Sequence, residues 1–254
     1  MWALIPIKAL SGAKQRLSSV LSPCQRQSLA RAMACDVIKN VFASTRLEGV
    51  LVISDDPEIE KIALDAGCEF LWESNVPEPD LSGLNSAVAQ GAAWLNASKI
   101  RSMMVIHSDL PLLKTARIDS LVETYPEHPT ITIVPDRAEQ GSNLLICPVG
   151  KVTEGFCFQY GVNSLRRHQI EAQRIGIDFS IVSMPDMQFD IDSPQDLHKL
   201  MDSRLLQDDS ETGRCLEKIC QTALIDYPLE GSSTEQVQSR PLFHEFQQPA
   251  NVHG

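Results

Sequence analysis

Residues 2–24 read WALIPIKALSGAKQRLSSVLSPC, and the order of signals in this stretch decides the fold. Residues 2–7, WALIPI, are a short apolar run of the kind that fills a strand buried on both faces. Ser22-Pro23 supplies an N-cap followed by a proline at the first helical position. Beyond it Leu29, Met33, Val37 and Val41 recur every four residues and lay one apolar stripe along a helix. Between strand and helix lies a loop with Lys8, Gly12, Lys14 and Arg16. A strand, a basic loop and an amphipathic helix, in that order, open an α/β domain.

The alternation continues. Residues 50–54, VLVIS, read as a second buried strand, and Asp55-Asp56-Pro57 starts a helix with Ile59, Ile62 and Ala63 on one face. Gly67 ends that helix, and Cys68–Leu71 reads as a third strand. Residues 75–85, NVPEPDLSGLN, are rich in turn formers and read as a loop before a helix at about 86–97. Strands are expected at 103–107, 130–134, 144–147 and 179–183. Helices are expected after Thr115, from about 164 to 175, and after Ser193-Pro194. Strands alternating with helices for about 200 residues predict a mostly parallel central sheet with flanking helices. In such sheets ligands bind beyond the carboxyl ends of the strands.

Composition narrows the function. Lys plus Arg is 22 and Asp plus Glu is 33, so the net charge is 22 − 33 = −11. A general nucleic-acid binder needs a basic footprint, and this chain lacks one overall. No apolar run reaches the 18 or so residues that span a bilayer. The opening MWALIPIKAL has no basic leader and no small-residue cleavage site, so a cytoplasmic protein is expected. The seven cysteines are scattered with no CxxC, which predicts buried or inert thiols and neither a zinc site nor a disulfide framework. Residues 202–254 differ, with nine acidic and four basic residues and a linker-like Gly231-Ser232-Ser233. Within them Leu216, Ile219, Cys220, Ala223 and Leu224 fall at helical spacing. The expected organisation is a domain over 1–204, then an acidic extension over 205–254 with one short amphipathic helix and an otherwise largely disordered end.

Five constellations carry possible chemistry. Lys8, Lys14 and Arg16 with Gly12 suit a triphosphate, although a solvated basic loop has the same composition. No GxxxxGK[ST] and no GxGxxG is present. Asp109, in Ser108-Asp109-Leu110-Pro111 at the end of a strand, suits Mg²⁺ or simply a helix cap. Asp190 and Asp192 in Phe189-Asp190-Ile191-Asp192-Ser193-Pro194 lie at i and i+2, where extended side chains share a face and repel until a cation joins them. Gly141-Ser142-Asn143 reads as a turn offering N–H groups, a hydroxyl and an amide. Phe158-Gln159-Tyr160-Gly161 leads to Ser164, Arg166, Arg167 and His168, a helix start with a hydroxyl and cations that suits phosphate or carboxylate.

Taken in order these pieces resemble the phospholactate guanylyltransferases, which make the side-chain donor for coenzyme F-420. The resemblance rests on Pro6-Ile7-Lys8, Ala13-Lys14-Gln15-Arg16-Leu17 and Leu21-Ser22-Pro23, then SGLNSA, SDLP, VPDRAEQGSNLL, FQYGVNS and the 190–194 element, and spans about residues 1–201. It implies a GT-A-like, Rossmann-like nucleotidyltransferase that uses GTP and Mg²⁺. By position it implies metal binding by Asp109, Asp190 and Asp192, and catalytic roles for Lys14, Arg16 and Asp109. Lys8, Lys14 and Arg16 match the nucleotide-binding loop, and Gly83, Leu84 and Asn85 the segment near the guanine. Ser142, Gly161 and Ser164 match positions near the acceptor, a small phosphorylated carboxylic acid. That acid is 2-phospho-L-lactate, phosphoenolpyruvate or 3-phospho-D-glycerate. The implied partners are these substrates and a downstream transferase, with no nucleic acid and no membrane, and a homodimer is left open. The rivals are another nucleotidyltransferase of the same fold, and a nucleotide-binding regulator without activity.

Overall fold

The computed structural model describes residues 1–74, 83–153, 155–203, 205–206 and 209–225. Most of the 75–85 loop and the expected disordered end lie outside the described residues. Among them seven strands form one sheet: β1 (Trp2–Pro6), β2 (Gly49–Ser54), β3 (Glu69–Trp72), β4 (Ser102–Ile106), β5 (Thr130–Pro135), β6 (Ser142–Pro148) and β7 (Asp178–Ile181). Their order is β3-β2-β1-β4-β6-β5-β7. All neighbours are parallel except β6, which runs antiparallel between β4 and β5. The reason is the length of the connection. Only residues 136–141 join β5 to β6, and a parallel crossover needs about ten residues or more.

Helices α1 (Pro23–Phe42), α2 (Pro57–Asp65), α3 (Leu84–Ala97), α4 (Thr115–Thr124), α5 (Val149–Thr153), α6 (Ser164–Arg174), α7 (Pro194–Ser203) and α8 (Glu211–Ile225) complete the order. Alternation along the central strands splits the core into two layers. Ala3, Ile5, Val50, Val52, Met104 and Ile106 pack with the Val37–Val41 stripe of α1. Leu4, Leu51, Ile53, Met103 and Val105 pack with Val88, Ala92 and Leu95 of α3. Gly91 lets α3 lie directly on β1, since a Cβ there would come within 2.6 Å of Leu4 Cδ1. No helix among the described residues is long and apolar enough to cross a membrane.

Several boundaries differ from expectation for local reasons. Thr115 is the first residue of α4 and not its cap; its hydroxyl donates to the Asn40 carbonyl at 2.9 Å. Ser142-Asn143 already belongs to β6 and does not form a free turn. Cys68 and Cys147 are buried, but Cys24 and Cys157 are exposed, and all seven thiols are free.

The helix of the acidic extension is part of the compact unit. Leu216 of α8 joins Leu29, Met33, Leu197 and Leu200 in a third apolar cluster, with Cys215 and Ile219 packed against it. The buried carboxylate of Asp36, on α1, accepts from the backbone N–H of Glu211 and Thr212, both at 2.8 Å. This is an N-cap supplied from another helix, and it places negative charge at the positive end of α8. Asp36→Ala should therefore lower stability by about 1–2 kcal/mol and speed hydrogen exchange of the α8 amides. Unchanged exchange across Glu211–Ile225 would show that the apolar contacts alone hold the helix.

Candidate active site

The loop after β1 folds into two short 3-10 turns, Leu10–Gly12 and Gln15–Leu17. Its backbone is tied to the end of β2: Ala9 N–H donates to Asp55 Oδ1 at 3.1 Å and Leu10 N–H to Asp56 Oδ2 at 2.8 Å. Between the turns Lys14 adopts a left-handed conformation, φ 52° and ψ 43°. That conformation costs a non-glycine residue on the order of 1 kcal/mol and persists only where other contacts impose it. Here it turns the side chain inward, where the Lys14 ammonium donates to Asp109 Oδ2 at 2.6 Å and Asp192 Oδ1 at 3.1 Å. Arg16 reaches Asp192 Oδ2 at 3.3 Å but is otherwise exposed. A cavity of about 660 Å³ opens over this loop, walled also by Asp55, Leu84, His107 and Ser108.

The charges interlock. Burial is the largest influence on Lys14 and works against its ammonium, but Asp109 and Asp192 together outweigh it and raise the pKa above the usual lysine value. Burial likewise disfavours the Asp109 carboxylate, yet the Lys14 ammonium beside it brings its pKa below the ordinary range. Asp190 has no such cation. Burial, then the like charges of Asp109 and Asp192, push it up to about 6. One oxygen of Asp109, Oδ1, is buried and has no hydrogen-bond partner among the described residues.

Among the described residues no three carboxylate, imidazole or thiol groups stand close enough to form a ready metal cage. Mg²⁺ does not require one: it is usually held by one or two carboxylates together with substrate phosphates. Hard oxygen donors, an unpartnered Asp109 oxygen and an Asp190 strained by like charge fit that ion.

The 190–193 segment is positioned by a clamp. Asp196 accepts from Ser193 N–H at 2.9 Å and Asp192 N–H at 3.3 Å, while its own N–H donates to Ser193 Oγ at 3.3 Å. This is a capping box, and Ser193-Pro194-Gln195-Asp196 spells it in the sequence. Arg137 pairs with Asp196 and stacks its guanidinium 4.1 Å over the Phe189 ring. Asn143 donates to the Met187 carbonyl at 3.2 Å and lies 3.4 Å from Asp190 Oδ1. Reading the sequence missed Arg137 and Asp196, although the capping box was there to find.

The other sequence-derived positions fall as follows. The Lys8 ammonium pairs with Glu73 at 2.5 Å. Gly83 takes φ 60° and ψ −126°, a conformation open chiefly to glycine, at the start of α3. Leu84 lines the cavity. The Asn85 amide brackets the Tyr160 backbone, accepting its N–H at 2.8 Å and donating to its carbonyl at 3.2 Å. Ser142 and Ser164 are buried, 3.1 Å apart, behind the Phe158–Gly161 segment. His168 Nδ1 lies 3.1 Å from Ser142 Oγ, and its Nε2 accepts the Gln159 N–H at 2.9 Å. Burial drives the His168 pKa down to about 3, so the ring is neutral and serves as a brace. Ser142, Gly161, Ser164 and Asp190 stand outside the wall of the cavity over the first loop.

Known proteins are similar to this chain in sequence and in fold. The chain is 32% identical over 203 residues to the phosphoenolpyruvate guanylyltransferase of Conexibacter woesei, covering 78% of this chain and 86% of that one. It is 29% identical over 223 residues to the 3-phospho-D-glycerate guanylyltransferase of Colwellia psychrerythraea, covering 87% and 98%. In structure it is similar to a candidate nucleotide-diphospho-sugar transferase from Desulfovibrio desulfuricans G20, with a TM-score of 0.67, 15% identity, and 89% and 96% of the chains covered. A cytidylyltransferase from Leptospira borgpetersenii superposes with a TM-score of 0.53, 15% identity, and 90% and 98% coverage. The family described as guanylyl transferase CofC like matches residues 1–226, a span that includes α8. The chain belongs to that guanylyltransferase family.

Proposed function

We propose that this protein transfers GMP from GTP to a small phosphorylated carboxylic acid and releases diphosphate, as a step in making coenzyme F-420 within the cytoplasm. The observation that carries the reading is the Lys14 ammonium locked between Asp109 and Asp192 at the carboxyl edge of the sheet. The names of the relatives support an acceptor such as phosphoenolpyruvate or 3-phospho-D-glycerate. 2-Phospho-L-lactate has the same two functional groups. A downstream transferase would take the product.

The acceptor's phosphate oxygen attacks the α-phosphorus of GTP in line, and the bond to the β-phosphate breaks. A phosphate dianion is already a nucleophile, so the reaction needs no general base. This agrees with a buried, neutral His168 whose Nε2 is engaged by the backbone. Lys14 holds triphosphate oxygens while staying charged beside its carboxylates, and Arg16, exposed apart from its contact with Asp192, can turn to the phosphates. Gly83, Leu84 and Asn85 border the base, and Ser142, Gly161 and Ser164 shape the acceptor end. Asp109, with Asp190 and Asp192, would hold Mg²⁺, which when bound neutralises charge between the two anions and on the leaving diphosphate.

Diphosphate release should require Mg²⁺ and GTP and occur with one of the three acids. Assaying each of four nucleoside triphosphates against each acid checks this, and release with a nucleotide other than GTP would contradict it. A second prediction concerns Asp190. Its carboxyl moves from 3.8 to about 6 in the fold. The native state therefore loses stability as pH rises from about 4 through 6, and the full cost stands at pH 8. Two units correspond to ~3 kcal/mol at complete burial, and partial exposure reduces this to ~1–2. Without Mg²⁺ at pH 8, Asp190→Asn should gain about that much stability over the wild type, and the gain should vanish near pH 3.5. Its turnover with Mg²⁺ should fall at least ~100-fold. A variant that is less stable at pH 8, or that turns over normally, would show Asp190 to be a structural residue.

A further inference from the structure

Glu73 follows β3 directly, at the carboxyl edge of the sheet, and its N–H continues the ladder by donating to the Ser54 carbonyl at 2.9 Å. Its side chain is only 6% exposed. Oε1 accepts from Lys8, a residue of the cavity wall, at 2.5 Å. Oε2 is buried and has no hydrogen-bond partner among the described residues. The segment is fixed from the other side by Gln90 of α3, whose amide accepts the Ser74 N–H at 2.8 Å and donates to the Ser74 carbonyl at 3.2 Å. Glu73 thus sits behind the cavity wall and meets it through Lys8, with the end of β2 at Ser54 on one side and α3, through the Ser74–Gln90 pair, on the other.

A carboxylate oxygen taken out of water without a donor is costly, and Lys8 satisfies only its neighbour. The chemistry that completes the group is a pair of adjacent N–H donors, one for each oxygen. A carboxylate has lone pairs enough for Oε1 to keep Lys8 as well. Among the common nucleobases guanine alone presents two neighbouring donors on one edge, N1–H and the 2-amino group. Adenine and cytosine place a ring acceptor beside a single amino donor, and uracil a single N–H between two carbonyls. Each of those would set an acceptor against the carboxylate.

We propose that Glu73 reads the guanine edge and selects GTP, with Lys8 holding it in place. This rests on the guanylyl-transfer reading and adds a residue to it. The contact that Lys8 makes, with Glu73, then gives it a bracing part distinct from the phosphate-binding one expected from the sequence.

The test is diphosphate release with the acceptor that the wild type turns over, read as kcat/KM for GTP, inosine triphosphate and xanthosine triphosphate. Inosine triphosphate lacks the 2-amino donor, so the wild type should use it at least ~10-fold less well than GTP. Xanthosine triphosphate replaces that donor with a carbonyl and should be rejected. Glu73→Gln keeps an acceptor for N1–H and offers an N–H to that carbonyl. It should lose ~100-fold with GTP and gain xanthosine triphosphate as its preferred substrate. Uniform loss with every nucleotide in a folded E73Q, or a retained preference for GTP, would overturn the proposal and leave Glu73 as a brace for Lys8. If E73Q does not fold, the wild-type ratio decides, because equal use of GTP and inosine triphosphate also overturns it. A wild type that turns over no nucleotide at all sinks the transferase reading itself, a result separable from the others.

Discussion

The ammonium of Lys14 is the point on which the site depends. It lies between two carboxylates contributed by segments 95 and 178 residues away in sequence, one after β4 and one after β7. Without a cation there, Asp109 and Asp192 would face each other across a partly buried space as uncompensated like charges. With it, Asp109 stays ionised despite burial, and three loops are pulled to one place. The strained left-handed backbone at Lys14 is the cost of aiming that side chain. The tethers from Asp55 and Asp56 to the same loop are what keep the strain from relaxing.

The sheet explains why those loops meet at all. β1 and β4 are adjacent and parallel, so the segments carrying Lys14 and Asp109 leave the sheet at the same edge. β6 runs the other way, so its first residues, Ser142 and Asn143, begin at that edge too. Asn143 can then brace the 187–190 segment from below while Asp196 and Arg137 clamp it from the α7 side. The antiparallel strand that a short hairpin imposes is therefore the element that brings a supporting amide beneath Asp190.

Much of this was legible in the residues. Each buried strand came from a short apolar run, and α1 was marked by Ser22-Pro23, whose serine does form a capping box with Gln25. Lys14, Arg16, Asp109 and Asp192 come together as their loop positions at strand ends suggested. Other features were hidden because they depend on contacts remote in sequence. Nothing local to Asp36 says that its carboxylate caps a helix 175 residues later, so the α8 segment reads as an appendage when it is part of the core. Ser142 and Asn143 look like turn residues because their types favour turns. In the sheet Ser142 pairs with Pro135, and the Asn143 carbonyl accepts the His107 N–H, a tertiary effect that propensity does not contain. Asp190 and Asp192 show the limit of spacing rules: the i, i+2 pattern brings both near Asp109, but among the described residues only Asp192 of the two obtains a cation.

That asymmetry gives the pair distinct parts. Asp192 is neutralised by Lys14 and Arg16 and holds the loops closed, while Asp190, raised to about 6, pairs with no cation among the described residues. A group in that condition is relieved by a further positive charge, the part that the proposed reaction gives it. The reaction proposed here brings two polyanions together and expels a third, so its barrier is dominated by charge. The protein answers with fixed cations and with carboxylates that recruit another, while burial keeps the imidazoles of His107 and His168 on the neutral side. On this reading the fold contributes position and field, and the substrates supply the nucleophile and the leaving group themselves.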